Sequence, residues 1–175
     1  GGESERMLGQ WLRDSGVNRS YVVIATKVGK MTTRPGLGAE NIRIAAEESL
    51  ERLGVDHIDL YYAHFDDQTV DLEETLGAFS ELIEQGLVSY IAASNYTLDR
   101  LVEAQETAQA MGLPGYVAVQ NHYNLVFRDE YESGMADYVE AQHLAGLPYF
   151  SLASGFLAGR YSREDVPDTP RVGRV

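Results

Sequence analysis

The chain has 175 residues, 44% of them apolar, which is enough for one domain with a sizeable core and cramped for two. Its 27 acidic side chains against 14 Lys and Arg give a formal charge of −13, which argues against a nucleic-acid partner or an anionic membrane surface, since both reward cationic side chains. Cysteine is absent, which removes disulfides and thiolate metal sites and fits a cytoplasmic location; no apolar run approaches the roughly 18 residues of a membrane helix, and no signal-peptide pattern opens the chain.

Taken in order, the sequence predicts a short helix over 4–12 and then a β-rich run over 21–28. Apolar positions Ile42, Ala45, Ala46, Leu50 and Leu53 recur at helical spacing, and Gly54 follows where a left-handed helix end needs no Cβ. A second β-rich run covers 57–64. A helix over 71–85 carries Glu on its outer face and ends at Gly86; a third run covers 88–94; Thr97 caps a helix reaching Met111; further runs cover 116–120 and 147–151. The runs start about 30 residues apart, the length of a βα unit.

Strand alternating with helix implies parallel strands joined by right-handed crossovers, either an open doubly wound sheet or a (β/α)₈ barrel. Lys27-Val28-Gly29-Lys30 after the first run is not the G-x-G-x-x-G of a dinucleotide-binding sheet, so the barrel is the expectation: an α/β fold of about five parallel strands with their helices, an incomplete (β/α)₈ barrel. The first residue is Gly1 and the last stretch closes no element, so the chain is expected to be an internal piece of a longer protein.

Barrels place their chemistry at the C-terminal ends of strands. Here the runs end with Lys27, His64, Ser94-Asn95, Gln120-Asn121 and Tyr149 with Ser151. An ammonium at such a rim must pair with a carboxylate, lose its proton or snorkel to water. A neutral imidazole there donates to a carbonyl oxygen or satisfies a loop. The amides and hydroxyl suit a neutral polar heterocycle such as a carboxamide. Alternation puts Tyr62 on the face of His64 and sends Tyr61 and Ala63 toward the helices. His57, His122 and His143 lack partners at metal-ligand spacing, so surface or turn roles are expected and no metal. Asp66 and Asp67 are too close in sequence to be assumed separate acid and base.

Several ordered motifs resemble the aldo-keto reductase family: Gly2-Glu3-Ser4-Glu5, Ile24-Ala25-Thr26-Lys27-Val28-Gly29, Glu48-Ser49-Leu50-Glu51-Arg52-Leu53-Gly54, and Ile58-Asp59-Leu60-Tyr61 followed by His64. They continue through Ala93-Ser94-Asn95-Tyr96, Val119-Gln120-Asn121 and Ser154-Gly155-Phe156-Leu157-Ala158-Gly159-Arg160-Tyr161, covering nearly the whole chain.

The resemblance implies a partial barrel domain over 1–175, holding the third to seventh strands, from a protein that reduces aldehydes or ketones with NADPH. It assigns Lys27 and His64 as catalytic. It assigns Ser94, Asn95 and Gln120 to the nicotinamide carboxamide, Tyr149 to stacking on its ring, and Ser151, Leu152 and Arg160 to the pyrophosphate loop. The family's Asp and proton-donating Tyr fall just before the Gly at which this sequence opens, so the 175 residues alone are expected to be inactive. Three departures stand out: Ala92-Ala93 where a Gly is common, Phe150-Ser151 for the usual Ser-Pro, and no adenosine-phosphate site within the sequence. The implied partner is a small carbonyl compound, with a homo-oligomer as an option. Two other readings remain open: a nonenzymatic protein that binds nucleotide or a partner, and Schiff-base chemistry at Lys27.

Overall fold

A computed structural model of the chain describes residues 2–159. Five strands form one parallel sheet: β1 (Ala25–Val28), β4 (Ile58–Ala63), β5 (Val88–Ser94), β6 (Ala118–Gln120) and β7 (Ala145–Gly146), in that spatial order. A small antiparallel hairpin, β2 (Lys30–Met31) with β3 (Arg34–Pro35), follows β1. Helices α1 (Glu3–Ser15), α2 (Ala39–Leu53), α3 (Leu72–Glu84) and α4 (Leu98–Met111) alternate with the strands, and the short α5 (Asp129–Glu132) and α6 (Met135–Ala141) lead into β7. This is the partial (β/α) barrel that the strand–helix alternation predicts.

Helix ends follow local chemistry. Thr97 accepts from the Arg100 amide at the start of α4, and Gly54, at φ 67, closes α2 by donating its N–H to the Leu50 and Glu51 carbonyls.

Parallel register sorts the side chains. Thr26, Tyr61 and Ile91 lie side by side, as do Val28, Ala63, Ala93 and Val119. With Ile24 the apolar residues among these pack against Ile42, Ala46, Leu53, Leu76, Phe79 and Leu82 of α2 and α3 in the main core. An edge-to-face chain of rings, Tyr61–Phe79–Tyr116–Tyr96, runs through it at centroid spacings of 5.6, 6.4 and 5.6 Å. The opposite face carries Lys27, Tyr62, Ala92 and Ala118 in one row, and Tyr62, Ala92 and Ala118 form a second small cluster with Leu60. Tyr62 therefore faces away from Tyr61 and Ala63, as period-two alternation requires.

Several features differ from expectation. The first strand starts at Ala25 rather than residue 21, although Tyr21, Val22 and Val23 favour strand. Asn18 caps a 3₁₀ turn at Arg19–Tyr21, and the Arg19 guanidinium then grips the Val22 carbonyl, the His57 carbonyl and Asp59, whose carboxylate accepts the Ile24 amide. The fifth strand is Ala145–Gly146, ahead of the expected 147–151. Pro148 lacks an N–H for a ladder and Phe150 sits at φ 57, so the chain leaves the sheet there; Tyr149 keeps a single bridge to His122. The hairpin after β1 is unanticipated, held by the Gly36 amide on the Gly29 carbonyl.

No helix among the described residues is long and apolar enough to cross a membrane. Gly9 is the buried residue of α1, and a Cβ there would meet the Leu53 carbonyl oxygen well inside van der Waals contact. Gly9→Ala is expected to lower stability by about 1–3 kcal/mol in denaturant unfolding, the usual cost of overpacking; an unchanged midpoint would mean that α1 and α2 are less closely packed.

Candidate functional site

The expected site residues converge at the C-terminal edge of the sheet. Lys27 pairs with Tyr62 across β1 and β4, and its Nζ lies 4.9 Å from the centroid of the Tyr62 ring. That contact is cation–π in character. Among the described residues Lys27 has no carboxylate partner, and partial burial holds its pKa below the ordinary lysine value. A cleft of about 620 Å³ opens beside it, lined by Lys27, Lys30, Arg34, Arg52, Glu5 and His64 among others.

His64 follows β4 directly. Its amide still donates to the Val28 carbonyl at 3.0 Å, while its imidazole makes no hydrogen bond among the described residues. Burial first, then the charges of Lys30 and Lys27, push its pKa down, so the ring is neutral at pH 7. A neutral imidazole keeps one N–H to offer a carbonyl oxygen.

Tyr62 is the phenol next to Lys27, yet burial raises its pKa and the ammonium lies over the ring face rather than at the oxygen. It is a core layer, not a proton donor tuned to neutral pH.

On the neighbouring strands the polar groups bind one another. The Ser94 hydroxyl donates to the Gln120 carbonyl at 2.7 Å. Asn95, at φ 58, donates from Nδ2 to the His64 carbonyl at 2.9 Å and to the Ser94 oxygen at 3.0 Å, and its Oδ1 accepts from the Tyr149 hydroxyl at 2.6 Å. Asn95 thus ties β4, β5 and the segment after β7 into one rim. The Gln120 side-chain amide at the end of β6 is unpaired among the described residues, which leaves a donor and an acceptor for a carboxamide. Ser151 and Leu152 are exposed in the turn that leads to the 3₁₀ segment Ala153–Ala158. Arg160 lies outside the described residues.

The sequence predicts a surface or turn role for His122. The ring instead stacks between Phe127 (4.1 Å, 11°) and Tyr149 (5.4 Å, 14°), with Phe150 at its edge. Asn124 builds this platform: its Oδ1 accepts from the Val126 and Phe127 amides, and its Nδ2 donates to the Phe150 carbonyl. One face of Tyr149 is thereby fixed. The signal in the sequence was an Asn able to form an Asx turn two residues after the His.

The family model described as the Aldo/keto reductase family matches residues 1–172. A probable voltage-gated potassium channel subunit beta of Oryza sativa subsp. japonica is 33% identical over 173 residues, which cover 97% of this chain and 53% of that protein. Aldo-keto reductases of Fusarium vanettenii and Metarhizium robertsii are each 33% identical, over 94% of this chain and 51% of their own lengths. The chain spans about half the length of these curated relatives.

Because its folded-state pKa is depressed below 6.5, the His64 imidazole is expected to titrate below that value in an NMR pH series, and Lys30→Met and Lys27→Met to move the midpoint up. On acidification the unfolded chain takes the proton first, so the His64 contribution to stability is present above about pH 6.5 and is lost as pH falls through the interval down to the folded value. A His64 titrating at or above the ordinary value would contradict the burial of this ring.

Proposed function

Because the chain belongs to the aldo/keto reductase family, we propose that residues 1–175 are a partial (β/α)₈ barrel domain of a cytoplasmic, NADPH-dependent reductase that converts an aldehyde or ketone to an alcohol. The observation that carries the reading is that Lys27, with no carboxylate partner among the described residues, and the neutral His64 imidazole line one cleft at the edge of a parallel sheet.

Bound NADPH would supply the hydride. In this reading the Gln120 amide holds the nicotinamide carboxamide, together with Ser94 and Asn95 once their internal bonds adjust. Tyr149, backed by His122, offers its ring for stacking, and Ser151, Leu152 and Arg160 belong to the pyrophosphate loop. His64 directs its N–H to the substrate oxygen, where charge gathers in the transition state, and preorganised donors of this kind act most strongly where water is excluded. Lys27 favours anionic character in the proton donor beside it. The tyrosine and aspartate that the resemblance calls for have no counterpart within the 175 residues, so this chain by itself is proposed to bind without turning over.

A second reading has one observation in its favour, the similarity to the rice protein named as a channel subunit: a nonenzymatic, nucleotide- or partner-binding reductase-like protein. The two separate cleanly in an NADPH-oxidation assay with an aromatic aldehyde, using the chain and a form extended at both ends to the length of its relatives. Reductase activity only in the extended form, lowered about 10²- to 10⁴-fold by Lys27→Met or His64→Gln, is the expected result. NADPH binding without oxidation in the extended form would favour the second reading and overturn the first.

A further inference from the structure

Among the described residues the His64 imidazole makes no hydrogen bond, so its position is set by the loop that carries it. That loop leaves the sheet after Ala63 and is braced from two directions by adjacent carboxylates. Asp66 accepts a forked pair from Arg100 on α4, Nε to Oδ2 at 2.9 Å and Nη2 to Oδ1 at 3.0 Å. Asp67 turns the other way: its Oδ2 accepts the Leu37 amide just ahead of α2 at 2.9 Å, and its Oδ1 accepts from the amide and hydroxyl of Thr69.

Both acids are spent in these bonds, which disposes of an acid–base role for the Asp66–Asp67 pair. Arg100 is itself anchored: its amide is capped by Thr97, and its Nη1 donates to Glu103 at 2.6 Å. The Asp66 and Arg100 side chains are 9% and 21% exposed, unlike the surface pair Arg43–Glu81 at 44% and 47%. A planar, two-bond ion pair withdrawn from water fixes geometry in a way that a solvated pair does not.

We propose that Asp66 and Arg100 are positioning residues for His64, the forked ion pair holding the His64 loop at the height and angle from which the imidazole meets the substrate oxygen. The proposal rests on the role given above to His64, but its structural half stands apart from any turnover. Asn95 is the third brace, since its Nδ2 holds the His64 carbonyl from β5.

The test reads the imidazole directly. In ¹H–¹³C spectra of the 175-residue chain, with the His64 signal assigned by its loss in His64→Gln, Asp66→Asn and Arg100→Gln are each expected to shift the His64 signal and to change its titration midpoint. The signals of His57, His122 and His143 stay in place, and the surface control Arg43→Gln leaves all four unmoved. Arg100→Lys keeps the charge but loses the fork and is expected to give an intermediate shift; it also serves if Asp66→Asn does not fold. A His64 signal that holds its shift and titration in these variants while the melting temperature falls would reduce the pair to a stabilising contact and overturn the proposal. Failure of the extended protein to oxidise NADPH would leave this result intact and remove only the catalytic reading.

Discussion

Parallel pairing of β1, β4, β5 and β6 in a fixed register is the constraint on which both the core and the site depend. Side chains alternate along each strand, so one register decision sends Tyr61, Ala63, Ile91, Ala93 and Val119 into the helix layer. The same decision aligns Lys27, Tyr62, Ala92 and Ala118 across the other face. A slip of one residue would bury Lys27 against α2 and expose Tyr61, exchanging an apolar core for a desolvated charge. The row that ends in Lys27 has small residues at Ala92 and Ala118, and Tyr62 is the one large ring in it, so the ammonium rests on that ring.

Above this row the polar residues form a continuous rim rather than a set of separate ligands. Ser94, Asn95, Gln120 and Tyr149 are linked through the Ser94–Gln120, Asn95–His64 and Tyr149–Asn95 hydrogen bonds. Such networks are stiff when satisfied and costly when half broken. The rim therefore fixes the spacing between His64 and Tyr149, two elements that come from chain segments more than eighty residues apart, and the proposed cofactor exchanges some of these bonds for its own.

Much of this was legible in the sequence, for reasons visible in particular residues. Helix α3 and strand β4 announce themselves because Leu72, Leu76, Phe79 and Leu82 keep helical spacing while Ile58 through Ala63 is a short apolar run ended by a His. The positions of Lys27, His64, Ser94 and Gln120 at strand ends follow from the same punctuation. What could not be read depended on partners distant in sequence. The strand propensity of Tyr21–Val23 loses to the Arg19 clamp on His57 and Asp59, a contact across about forty residues. The His122 stack needs Phe127 and Tyr149 brought together by the fold, and the Asp66 fork needs Arg100 from the next helix. In the 147–151 run, Pro148 and the left-handed Phe150 override apolar composition.

In the proposed function the nicotinamide end of the cofactor would lie between the Gln120 amide and the Tyr149 ring, beside His64. Transferred and intermolecular NOEs between NADP⁺ and the chain measure that directly. The account predicts contacts from the nicotinamide ring protons to Tyr149, weakened when Gln120 is replaced by Ala. Saturable NADP⁺ binding with nicotinamide contacts elsewhere, or no binding at millimolar NADP⁺ to either the chain or its extended form, would contradict it.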